Sequence, residues 1–444
     1  MKLGFAKPLF IVLIASAATP FAAAQPQSGT QPASRPILLR AAHLFDGVSG
    51  TLIDDGMVLV EGSEISAVGR NLSAPDGAEV VDLGDATLLP GFIDAHVHLT
   101  MEMSSDWYRD FYQSSLRFPA EQALYAAMYA RRTLEAGFTT VRNVGASDWV
   151  DIGLRNAINA GVTEGPRILT AAHAIGGTGG HADQSPFPPD VVKPLGPIEG
   201  ICNGPSECRA AVRYQIKYGA DVIKFMPSGG VLSESDPVDV PELSQEEMNA
   251  IVEEAHAWHR KVAAHCHGDL AARMSIRAGV DSIEHGSFLT DETLALMKKQ
   301  GVYLVPTLMA GWWVGQQAPH YPPPIAEKAR AASAQIQTMF QHAVRIGVPV
   351  AFGTDAAVEP HGMNAKEFSL MVENGLSPAQ ALMAASHNGA DLLGVSEITG
   401  SLAKGKAADI VAVTGNPLDD ISTTEHPLLV MKGGAIIVAP TEKH

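Results

Sequence analysis

The sequence predicts an α/β protein in which a (β/α)8 TIM barrel stands beside a small composite β-sandwich domain built from both termini. Three observations carry this expectation. From residue 91 to about 393, short β-rich runs alternate with helix-like segments, eight times over. The β-rich runs are almost continuously apolar, as in parallel sheets covered on both faces by crossover helices. Both ends of the chain instead hold short alternating strands with close-set turns, each piece too small to bury a core alone. Composition agrees: with 444 residues, 46% of them hydrophobic, the chain is too long for one ordinary compact domain and too apolar for disorder.

Taken in order, residues 1–24 read as a signal peptide. Lys2 and Lys7 form a basic start, residues 9–18 (LFIVLIASAA) an apolar stretch, and residues 21–24 (FAAA) a small-residue cleavage site after Ala24. The apolar stretch falls short of the ~20 residues that a membrane span requires. The mature protein is therefore expected to be exported, periplasmic or secreted, with no membrane attachment after cleavage. Residues 36–90 (ILLRAAHLF, MVLVEG, EISAVG, AEVVDLG and ATLLP) form the first part of the sandwich. The barrel occupies 91–398, with strands expected at 92–98, 139–144, 167–173, 221–226, 261–267, 280–285, 302–307 and 348–355. Helices are expected at 120–136, 206–218, 244–259 and 325–345; Ser244, followed three residues on by Glu247, is a capping box. An open doubly wound sheet is the rival architecture, but no G-x-G-x-x-G follows the first strand. Residues 399–444 return to short strands and complete the sandwich.

Charge and cysteines narrow the partners. A net charge of −17 with no basic run argues against nucleic acid or an anionic membrane. Three cysteines do not make a disulfide scaffold. Cys202 and Cys208 share one loop and either close a small ring or remain two free thiols. Cys266 sits in an apolar strand and is expected to be inert.

The chemistry-bearing residues fall at strand ends. His96 and His98 lie two apart, so strand alternation turns both imidazoles to one face. His265 ends the fifth expected strand, His285 the sixth and Asp355 the eighth, while Lys224 stands on the fourth. The C-terminal mouth of such a barrel is where catalytic side chains gather.

With these residues in place the chain resembles the amidohydrolase superfamily. The matching motifs are PGFIDAHVH (90–98), DVIK (221–224), AAHCHG (263–268), SIEHG (282–286), FGTDA (352–356) and the tail GSLAKGKAADIVAV (400–413). Within it, the chain is most similar to the branch of Xaa-Pro dipeptidases and metallocarboxypeptidases, which includes amidohydrolases that cleave ochratoxin A. The resemblance implies two divalent metal ions, usually zinc: His96, His98 and Asp355 on one, His265 and His285 on the other, with a carboxylated Lys224 bridging them. Charge counting agrees, since an ammonium at Lys224 would face two cations. The resemblance also implies that Asp355 is the catalytic acid–base group.

Other residues are weighed beside it. His181 follows a glycine-rich loop (176–180), His361 follows the eighth strand, and His267 shares a face with His265. These are candidate donors for a substrate carboxylate, with a structural role as the alternative for His267. Trp312 and Trp313 either wall an apolar substrate pocket or pack a long loop or subunit contact. Arg142 is expected in a buried ion pair of uncertain partner, because Asn143 stands where relatives often carry Asp. The expected substrate is a small amide or dipeptide-like molecule ending in a free carboxylate, and a homo-oligomer is expected. A deaminase or cyclic-amide hydrolase of the same superfamily is one alternative, although deaminases usually lack the lysine. A non-catalytic periplasmic binding protein is the other.

Overall fold

The computed structural model describes residues 35–440 apart from 184–187, 191, 234 and 235. The expected signal peptide lies outside the described residues. Both ends of the chain meet in one eight-stranded sheet. Its order runs from Ala435–Val438 through Leu429–Lys432, Ile410–Thr414, Ala86–Pro90, Ile37–Phe45 and Leu52–Glu61 to Glu64–Gly69. Glu79–Asp82 also pairs with Ile37–Phe45, in parallel. The seam between the two termini is an antiparallel ladder from Ile410 opposite Pro90 to Thr414 opposite Ala86. A single hydrogen-bonded path joins seven of these strands, and Glu79–Asp82 branches from it at Ile37–Phe45. The long strand Ile37–Phe45 makes this possible: one edge pairs with Leu52–Glu61, the other first with Glu79–Asp82 and then with Ala86–Pro90. Its own core contains Leu39, Leu44, Val58, Ile65, Leu88, Ile410 and Met431. Gly433 and Gly434 turn the last hairpin with φ of 53° and 79°, values that favour glycine at both positions. A Cβ on Gly434 would also collide with the Gly62 carbonyl at the tip of a neighbouring hairpin.

The chain between these ends forms parallel sheets. Phe92–Val97, Phe138–Asn143 and Arg167–Thr170 make one of three strands; Val222–Phe225, Lys261–Cys266, Ser282–His285 and Tyr303–Val305 make one of four. Isolated parallel bridges join their edges, Ile175 to Phe225 on one side, and Leu304 to Val350 and Val97 to Ala356 on the other. The eighth expected strand, 348–355, is not a continuous ladder. Pro349 has no N–H to donate, and single bonds instead go alternately to the two neighbours: Ala351 N to Leu304 O at 3.0 Å, and Asp355 N to His96 O at 2.8 Å.

Helices Pro119–Glu135, Pro205–Tyr218, Gln245–Ala257 and Pro323–Ile346 match the expected ones within a few residues. The capping box forms: Ser244 Oγ accepts from Glu247 N at 3.3 Å, and Glu247 Oε2 from Ser244 N at 2.7 Å. Cys202 and Cys208 are joined in a disulfide, with Cα atoms 5.0 Å apart. Cys266 is free and buried. Among the described residues, no helix is long and apolar enough to cross a membrane.

Candidate metal centre

His96 and His98 leave the end of Phe92–Val97 on one face, below Asp94. That carboxylate is fully buried, and burial raises its pKa to about 6 although Asn364, His96 and Thr354 all donate to it. His96 Nε2 lies 3.2 Å from Asp355 Oδ1, His98 Nε2 lies 3.3 Å from the same oxygen, and Lys224 Nζ lies 3.4 Å from His96 Nε2. Across the centre, His285 Nε2 faces His265 Nδ1 at 3.0 Å. Six residues from the first, fourth, fifth, sixth and eighth strand positions therefore converge.

The opposite ring nitrogens decide what these histidines offer. His96 Nδ1 meets Glu284 Oε2 at 2.7 Å, His98 Nδ1 meets Gly145 O at 3.2 Å, and His265 Nε2 meets Gly229 O at 3.3 Å. Carboxylates and carbonyls only accept, so each of these nitrogens carries the proton and the other keeps its lone pair for the centre. His285 Nδ1 pairs with Thr307 Oγ1 at 2.8 Å, leaving Nε2 inward. Burial lowers the pKa of His98, His265 and His285, which favours neutral imidazoles. Burial opposes the charge on Asp355; positive charge on His96 with N–H donation from His96 and His98 would outweigh it and hold the carboxyl well below the usual carboxylate range, a balance that neutral imidazoles leave to a cation. Burial also pushes the Lys224 ammonium down to about 8.

The backbone is strained here as well. His285 and Asp355 both have φ of 69°, and Thr307 has φ of 48°, left-handed values unusual for residues other than glycine. Two triads, His96–His285–Asp355 and His265–His267–His285, each bring their ligand-type atoms within 4.8 Å of one another. Neutral imidazole nitrogens with one carboxylate are a donor set suited to divalent transition metals. The residues fit such an ion.

The expected substrate residues divide. His181 stacks over His265 with ring centroids 4.6 Å apart, its Nδ1 3.1 Å from Ser233 Oγ and 3.5 Å from Asp236 Oδ2. His267 stacks on His285 at 4.9 Å with Nδ1 on Ser287 Oγ, and its membership of a triad gives it a ligand-type position that the sequence reading did not assign. His361 packs instead on Tyr129, bonds through Nε2 to Met101 O at 2.9 Å, and lines a cavity of about 580 Å³ whose walls include none of His96, His98, Lys224, His265, His285 and Asp355. The tryptophans also part. Trp313 packs against a buried cluster that includes Val231 and Val358, from the loops after the fourth and eighth strand positions, whereas Trp312 packs on the main core.

Sequence reading missed Glu284. Both of its oxygens are buried and bonded, to His96 and to Arg142 Nη2 at 2.8 Å, so it supplies the partner that Arg142 lacked. Burial opposes its charge, but the Arg142 guanidinium and His96 hold its pKa at about 2. The signal was present in the SIEHG motif, where a carboxylate precedes a ligand-type histidine.

A model of the amidohydrolase family matches residues 87–437. The chain is 32% identical over 408 residues to ochratoxinase of Aspergillus niger, across 88% of this chain and 82% of that one. Among solved structures it is similar to a Xaa-Pro dipeptidase with methionine bound in its active site, at 40% identity and a TM-score of 0.86, across 90% of this chain and 99% of the other. A prolidase complexed with N-methylphosphonate-L-proline matches at 30% identity and a TM-score of 0.83, across 91% and 100%. The matched span contains every strand end that carries a ligand-type side chain, and the chain belongs to the amidohydrolase family of hydrolases.

Proposed function

We propose that this hydrolase uses two divalent ions, zinc being the expected metal, to cleave an amide whose released amine is an amino acid with a free carboxylate. The observation that carries the reading is the set of imidazoles whose lone pairs turn inward, those of His96 and His98 to Asp355 and that of His265 to His285. In this reading His96, His98 and Asp355 hold one ion and His265 and His285 the other. Lys224, as a carbamate formed from its neutral amine and carbon dioxide with loss of a proton, lies between them; the lowered pKa of its ammonium supports that. When bound, the ions supply Lewis acidity, polarising a carbonyl and bringing the pKa of a water molecule towards ~7. Asp355, ionised beside the centre, accepts the proton of the attacking water and returns it to the leaving amine nitrogen.

His181 and His267, stacked on His265 and His285, are positioned as donors to the substrate carboxylate, and Trp313 offers apolar surface to a bulky neighbour. The dipeptidase and ochratoxinase relatives support this substrate class, with ochratoxin A among the substrates proposed. The same reading includes a closed eight-stranded barrel over 91–398 with a sandwich from 36–90 and 399–444, supported by the bridges that join both edges of the parallel sheets. It also includes export after cleavage at Ala24 and assembly as a homo-oligomer.

The test is a panel of N-acyl amino acids, dipeptides and ochratoxin A with the purified chain. Chelation is expected to abolish hydrolysis and zinc to restore it. Amidating the substrate carboxylate is expected to lower kcat/KM at least tenfold, ~1.4 kcal/mol of transition-state binding. Equal rates on the free acid and its amide would show that no carboxylate is read.

A further inference from the structure

Glu284 and His285 are consecutive, yet both reach His96. The left-handed backbone of His285 interrupts strand alternation. Its ring therefore lies 4.9 Å from that of His96, while Glu284 Oε2 meets His96 Nδ1 at 2.7 Å. The other oxygen of Glu284 accepts from Arg142 Nη2 at 2.8 Å and from the Ser282 hydroxyl. Arg142 spends its remaining donors on the frame around the pair, Nε on Ala95 O at 2.5 Å and Nη1 on Ser282 Oγ at 3.2 Å. Ala95 directly precedes His96, so Arg142 grips the backbone of the histidine as well as its carboxylate partner. The side chains of His96, Arg142 and Glu284 are all at most 1% exposed.

We propose that Glu284, with Arg142 as its counter-charge, is a positioning residue that fixes His96 in the Nδ1-protonated form and strengthens Nε2 as a metal donor. The inference rests on the reading of His96 as a ligand. A buried carboxylate is an expensive way to fill space, because its charge needs a partner of equal burial. Its placement on the outer nitrogen of a ligand-type histidine gives that charge a use. Partners of this kind orient the ring and raise its basicity, and losing one weakens metal affinity by ~10–100-fold.

The experiment titrates metal-free protein with Co2+ alone, following stoichiometry, affinity and the visible absorption of the bound ion. Wild type, Glu284→Gln and the double variant Arg142→Met/Glu284→Gln are compared. The glutamine keeps an acceptor but loses the charge. The double variant removes both buried charges together, so it keeps the question open if the single variant does not fold, with cooperative thermal unfolding as the check on folding. At least tenfold weaker Co2+ binding with an altered absorption band, in a variant that unfolds cooperatively, is the expected result. Wild-type affinity and spectrum in a folded variant would overturn the positioning role. No Co2+ binding by wild type would instead overturn the metal reading itself.

Discussion

The two sides of the centre are held by different means. On one side His96 leans on an ion pair, Glu284 with Arg142, that reaches from the sixth strand to the second, while His98 beside it rests on the Gly145 carbonyl. On the other, His265 and His285 lean on neutral groups, the Gly229 carbonyl and the Thr307 hydroxyl. The charged support is the stronger electrostatic partner and also the more hazardous, because removing either member leaves a buried charge uncompensated. The neutral support costs little to lose. A site can therefore combine one rigidly biased imidazole with others that are merely oriented.

The largest expected effect breaks the side that carries Asp355. Asp355→Asn keeps shape and tolerates the left-handed backbone, but removes the charge and the proton acceptor. Hydrolysis is expected to fall by at least ~100-fold. Near-normal turnover in fully metallated protein would remove Asp355 from the acid–base role. Lys224→Ala removes the proposed bridging group, which lies 3.4 Å from His96 Nε2. Most bound metal and activity are expected to be lost, with partial recovery on adding short carboxylic acids; metal analysis showing two ions per chain at full activity would refute the bridge.

Two smaller effects sharpen the contrast itself. Arg142→Met strands the Glu284 carboxylate, and a loss of about 3–5 kcal/mol is expected in urea or thermal unfolding. Thr307→Val, nearly isosteric, leaves only the His285 ring nitrogen without its hydroxyl, for a loss of about 1 kcal/mol. If the two variants lose equal stability, the charged and neutral supports are not different in kind.

Much of the centre was legible in the sequence. His96, His98, His265, His285 and Asp355 were found from period-two spacing and from their places at strand ends, and the structure brings their rings and carboxylate together. For His96 and His98 local pattern was enough, because strand alternation fixes which face a side chain takes; His285 and Asp355, both at φ of 69°, depart from that alternation. The capping box at Ser244 was legible for the same reason, since both partners lie within one turn.

Tertiary structure decided the rest. Arg142 and Glu284 are 142 residues apart, and no periodicity pairs residues on strands of two different sheets. Trp312 and Trp313 are adjacent in sequence but lie on a helix, where neighbours diverge by about 100°, so they enter different apolar clusters. Cys202 and Cys208 share a loop whose spacing left the bond undetermined; the fold brings their Cα atoms to 5.0 Å. The sequence by itself placed the ligand-type residues at the ends of the expected strands, through short-range pattern. Which of them touch, and through which nitrogen, depended on contacts between segments far apart in the chain.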